Sequence, residues 1–177
     1  ENLYWFGRYA ERCDKTSRIL RVALSRLVDA GADSQPALAS ALDLCLALKL
    51  LPVAEPETGS DAPPATVPTA QAPREALVLE AICGKEWSDG LAGDIRRLLW
   101  VAAQVRERFS LDNWHALNRL QHQLQAYGRL ASRGTPPELG EALAFLDQVL
   151  LASSSLAGFA MDNMTRDDGW RFLIIGR

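Results

Sequence analysis

The residues best equipped for chemistry crowd into the first thirty positions. Arg8, Glu11, Arg12, Lys15, Arg18 and Arg21 follow one another at helical intervals, with Asp14 among them. Guanidinium groups are planar, two-pronged donors that grip a carboxylate or a phosphate bidentately. Glu11 and Asp14 supply carboxylates suited to acid/base work or to a metal. The same charges also suit a solvated face laced by pairs such as Arg8 with Glu11 and Glu11 with Lys15. Trp5 and Tyr9 lie one turn apart beside them, and aromatic flanks of this kind suggest that the charges are partly covered.

A second charged region closes the chain. Asp162, Asn163, Asp167 and Asp168 form an acidic cluster, with Arg166, Arg171 and Arg177 interleaved or following. Helix capping by Asp167 or Asp168 is the plain reading, and magnesium coordination is the sharper one. His115 and His122 are seven apart, so their backbones sit roughly 10 Å apart along a helix and cannot easily share one metal. Arg106-Glu107-Arg108 reads as a solvated helix end, although its arginine forks could hold phosphate or carboxylate. The sequence has no GxxxxGK loop, no GxSxG elbow and no HExxH pair. No catalytic residue and no metal ligand set is assigned.

These residues need a scaffold, and the pattern supplies a helical one. Leu3, Phe6, Ala10, Cys13, Ser17, Leu20, Leu24 and Leu27 recur every three or four residues, one seam along a long first helix. Its expected end is Ala30-Gly31. A second helix should open at Pro36 after Ser34 or Gln35 and run to about Leu51. It is apolar nearly all round and reads as buried. Residues 74–83 suit a helix better than a strand. Gly84 should stop it, and Ser88 or Asp89 should cap the next helix, with a seam of Leu91, Ile95, Leu98, Ala102, Val105 and Phe109. Ser110 caps a fifth, whose apolar side is Trp114, Leu117, Leu120, Leu124 and Tyr127. After a turn at Gly134, Pro136 and Pro137, a sixth runs from about Pro137 to Met164. Its seam is Leu139, Leu143, Leu146, Leu150, Ser153, Ala157, Ala160 and Met164, and Ser153-Ser154-Ser155 should admit a close backbone. A seventh begins near residue 168. The expectation is all-α: one antiparallel bundle of six to seven helices spanning residues 1–177.

Composition sets limits. Six of the nine prolines fall within residues 52–73, which read as a linker or surface loop inside the bundle and the place for a first proteolytic cut. A net charge of −3 and a pI near 5.4 argue against nucleic acid as partner. The apolar stretch at 37–51 carries Asp43 and Lys49 and is too short to span a membrane. The N-terminal stretch has early charges and no apolar h-region, so a cytoplasmic setting with reduced thiols at Cys13, Cys45 and Cys83 is expected.

Three segments carry a family resemblance. NLYWFGRYAERCDKTSRIL at 2–20, VRERFSLDNWHALNRL at 105–120 and MTRDDGWRFLIIGR at 164–177 resemble, in order, motifs of the bacterial Alpha-E family, an alpha-helical domain with an ER motif. The departure is RRLLWVAA at 96–103, where the family shows a more polar stretch. The resemblance implies an internally duplicated domain, in which Phe172, Leu173, Ile174, Ile175, Gly176 and Arg177 align with Leu3, Tyr4, Trp5, Phe6, Gly7 and Arg8. It also implies a circularly permuted ATP-grasp protein as partner or fused domain, with ATP and magnesium on that partner and none in this chain. The function implied is a helical accessory module of an amide-bond ligase. Its binding residues would come from Arg8, Glu11, Arg12, Arg18, Arg166, Asp168, Arg171 and Arg177, with Arg8, Glu11 and Arg12 expected near Arg166, Asp168 or Arg171. The alternatives are an enzyme using Glu11 or Asp14, and a structural scaffold.

Overall fold

The computed structural model describes residues 1–29, 35–51, 71–84, 90–132 and 136–177. Those residues form seven α-helices and no strand: α1 (Asn2–Val28), α2 (Gln35–Ala47), α3 (Gln71–Cys83), α4 (Gly90–Gln104), α5 (Leu111–Ala131), α6 (Leu139–Asp162) and α7 (Asp168–Gly176). The all-α bundle is therefore as expected. Its hub is α1, which packs against α2, α3, α4, α6 and α7. The seam residues Leu3, Phe6, Cys13, Ser17, Leu20, Leu24 and Leu27 are all buried, and so are Gly7, Thr16 and Ala23 beside it, so more than one face needs a partner.

Local signals set most helix ends. The Ser110 hydroxyl accepts from the Asn113 amide at 3.3 Å, and Asp167 accepts from the Trp170 amide at 3.0 Å. At α6 the expected proline start gives way to a capping box, in which Glu138 and Glu141 satisfy each other's backbone N–H groups. The expected helix to Leu51 instead stops at Ala47. Lys49 adopts a left-handed conformation (φ 54°), the Leu50 amide donates to the Cys45 carbonyl and the Lys49 amide to that of Leu46. This is a Schellman closure without glycine to announce it. Likewise α4 does not continue to Phe109. It breaks at Gln104 into a 3-10 turn over Arg106–Arg108, which swings the Phe109 ring to 4.6 Å from that of Phe6.

The sixth helix is rotated from expectation. Its buried ridge is Ala142, Phe145, Leu146, Val149, Ala152, Ser153, Leu156 and Ala160, while Leu139, Leu143, Leu150 and Ala157 are half-buried. It packs against α1 on one side and α5 on the other, with the Phe145 ring stacked at 4.4 Å on Tyr127. Among the described residues, α6 and not the 37–51 stretch is the helix long and apolar enough to cross a membrane by length and composition. Residues 52–70 of the expected linker lie outside the described residues, as do Ala30-Gly31, Ser34, Ser88, Asp89 and Gly134. Residues 71–73 open α3, where Pro73 falls in the first turn and removes no helical hydrogen bond.

Candidate functional site

The adjacent residues Glu11 and Arg12 point to different neighbours. Arg12 reaches across to α4, where its Nε lies 2.9 Å from the Asp94 carboxylate. Asp94 is only 4% exposed and holds a second cation, Arg97, at 3.1 Å. Burial pushes the Asp94 carboxyl above its usual range, and the two guanidiniums pull against that rise. Beside it, burial and the Asp94 charge push the Cys13 thiol far up, and burial raises Cys45 to about 11. Both thiols are protonated and inert at neutral pH. Asp94 was not among the sequence candidates. Its signal was a carboxylate three residues after Leu91, on a seam position that faces the core.

Glu11 faces the other way, toward α6 and α7. Its carboxylate lies 3.2 Å from Lys15 Nζ and 3.6 Å from Arg177 Nε. One turn on, Asp14 takes both prongs of Arg18, at 2.8 and 3.1 Å. These four side chains and Arg177 edge a groove of about 240 Å³ between α1, α6 and α7. Its apolar lining includes Phe6, Ala10, Leu156 and Ala157, and Ser153 and Ser154 lie along the α6 side. The serine run thus borders a groove.

The close backbone approach occurs at the glycines instead. A Cβ on Gly7 would strike the Leu173 carbonyl oxygen, and one on Gly176 would strike that of Tyr4. The contact is reciprocal. In the alignment of the two Gly-Arg segments Gly7 matches Gly176 and Tyr4 matches Leu173, so each glycine meets the other's aligned neighbour. Such exchange is the mark of a local two-fold. Arg177 then reaches Glu11, whereas Arg8 is exposed and has no ion pair among the described residues.

The remaining candidates serve the ends of α7. Arg166 lies over the Trp170 ring at 5.6 Å, and Arg171 pairs with Asp168 at 3.2 Å. Among the described residues none of the three forms an ion pair with Arg8, Glu11 or Arg12: Arg12 goes to Asp94, and Arg177 takes the place beside Glu11. The cap is Asp167, and Arg108 bonds it at 2.7 Å. Hydrogen bonding from the Trp170 backbone, then from Arg108, holds the Asp167 carboxyl below its ordinary value. A folded pKa below the unfolded one means stability that is present at neutral pH and lost as acid protonates the cap. The wild-type midpoint should therefore fall as pH drops below about 4, and Asp167→Ala should shallow that acid limb while lowering the neutral midpoint. Thermal melts from pH 7 to 2 test this; superimposable limbs would refute it.

His115 and His122 are both exposed, and among the described residues no group of three His, Cys, Asp or Glu side chains could hold a metal ion. Compared with known proteins, residues 1–177 match the model of a family described as a predicted alpha-helical domain with a conserved ER motif. No curated protein and no solved structure matches the chain.

Proposed function

The chain belongs to the Alpha-E family, and from that membership we propose that it is a helical accessory module of an ATP-dependent amide-bond ligase. The module docks on a circularly permuted ATP-grasp protein in the bacterial cytoplasm and contributes to holding the carboxylate or amine substrate. ATP and magnesium belong to that partner. The observation that carries this reading is the groove beside Glu11: an open, partly apolar cleft with charges of both signs on its edge. Fully interhelical, closed pairs would have favoured a scaffold alone. The scaffold reading keeps one specific support, since Arg12 is committed to Asp94. The reciprocal glycine contact supports an internal duplication, with α1 and the segment from α7 as equivalent helices.

The test is a reconstituted ligase assay with the ATP-grasp protein. Adding the helical chain should raise amide product several-fold, whereas the chain alone should neither hydrolyse ATP nor form amide. Glu11→Gln should reduce the stimulation. Its effect on stability should be small, because its partners are solvent-reachable and exposed pairs contribute about 0.2–1 kcal/mol. Equal product with and without the chain would remove the accessory reading.

A further inference from the structure

We propose that the groove between α1, α6 and α7 binds a zwitterion of free amino-acid size. Its ammonium group sits on Glu11 and its carboxylate on Arg177 and Lys15. This rests on the reading that the groove is the module's working face, and it names the chemistry of the occupant.

Size comes first. A volume of about 240 Å³ falls below the roughly 300–1,000 Å³ of sites for drug-sized ligands. The lining residues Gly7, Ala10, Ala157 and Ala160 are small, which leaves the space to the occupant. Charge comes next. Asp14 and Arg18 complete each other through two hydrogen bonds, so their charges are already matched to one another. Glu11 is different: it stands between two cations, and Arg177 at 3.6 Å is beyond the roughly 2.7–2.9 Å of a formed charge-assisted bond. A guanidinium has five N–H donors, and Arg177 offers Glu11 its Nε at this long range. An anion alone would face Glu11 and Asp14, and a cation alone would face Lys15, Arg18 and Arg177. A molecule with both signs on neighbouring atoms finds a partner for each end.

The experiment titrates the chain, without any partner, with L-alanine, L-leucine and L-glutamate, reading backbone amide shifts by NMR. At least one should give saturable shifts confined to residues 7–18, 153–160 and 173–177. The N-acetyl and carboxamide derivatives of that amino acid, each lacking one charge, should bind at least about tenfold more weakly. Glu11→Gln should weaken binding about five- to tenfold with a nearly unchanged unfolding midpoint. No saturable shift with any of the three amino acids, equal affinity for the derivatives, or undiminished affinity in Glu11→Gln would each overturn the proposal. The ligase assay separates the two readings. Ligase stimulation without amino-acid binding removes only this inference, and binding without stimulation removes only the accessory reading.

Discussion

Gly7→Ala is expected to detach α7 from α1 and to lower the unfolding midpoint, although alanine is the better helix former. Propensity alone would favour the variant by up to about 1 kcal/mol in a helix interior. Sterics oppose it. The new methyl would overlap the Leu173 carbonyl oxygen and lie 3.2 Å from its carbon. These are backbone atoms, which cannot rotate aside as a side chain can. Overpacking of this kind typically costs about 1–3 kcal/mol, and the rigid obstacle places the expected net loss in the upper half of that range. Gly176→Ala should behave alike, because its methyl would meet the Tyr4 carbonyl carbon at 3.0 Å. Gly158→Ala is the control: nothing lies within 4 Å of a Cβ there, so that variant should gain roughly 0.5–1 kcal/mol. The readout is denaturant unfolding followed by Trp170, whose indole donates to the Ala160 carbonyl at 3.1 Å and is released when α7 lifts. Gly7→Ala matching Gly158→Ala in sign would show that the crossing is looser than described.

The crossing also shows what could be read in advance. Matching the two Gly-Arg segments identifies which helices belong together, because glycine in both marks a place where side chains must be absent. It does not give the axial register. Glu11 was expected near Arg166, Asp168 or Arg171, yet those residues sit before or within the first turn of α7, where they serve its start. The crossing point at Gly176 brings the next residue, Arg177, to Glu11 instead. Register depends on a backbone contact, and a residue pattern carries no information about carbonyl oxygens.

Elsewhere legibility followed side-chain type. The α1 seam was visible because apolar and charged residues divide cleanly around the helix, and the caps at Ser110 and Asp167 because the capping oxygen belongs to the named residue. The α6 face was not visible. That helix is apolar on most sides and packs against two neighbours, so the three-four rule admits several ridges and chose the wrong one. The end of α2 was hidden for the opposite reason: a lysine takes the conformation that glycine would have signalled. At the candidate site the charged residues of α1 were evident, whereas Asp94 was not recognised as a polar partner. It occupies a position that an apolar pattern claims for the core.

That missed carboxylate gives the other large effect. Asp94 is a buried carboxylate held by Arg12 and Arg97. Arg12→Ala alone should cost about 1–2 kcal/mol, at the low end for a bond to a charged group, since Arg97 remains and water reaches both half-exposed guanidiniums. The double variant Arg12→Ala/Arg97→Ala strips the carboxylate of both guanidiniums, and a buried charge stripped of its partners costs about 3–5 kcal/mol. In an Asp94→Asn background the same double change should cost far less, so the cycle must show strong coupling. The pH dependence has a definite sign. Burial sets the folded Asp94 pKa above the unfolded one, so the folded state holds this proton more tightly and loses stability as pH rises from about 4 through the folded value. Removing both arginines should extend that loss to higher pH, because less attraction then opposes burial, and Asp94→Asn should abolish it. Additive energies, or a double variant with an unshifted pH profile, would mean that Arg12 does not neutralise Asp94. If coupling is found, the two halves of the Glu-Arg pair do separate work: Arg12 makes a buried charge tolerable at the α1–α4 contact, and Glu11 stays available on the groove. Variants meant to probe binding then belong on the Glu11 side, where losing a charge leaves the core intact.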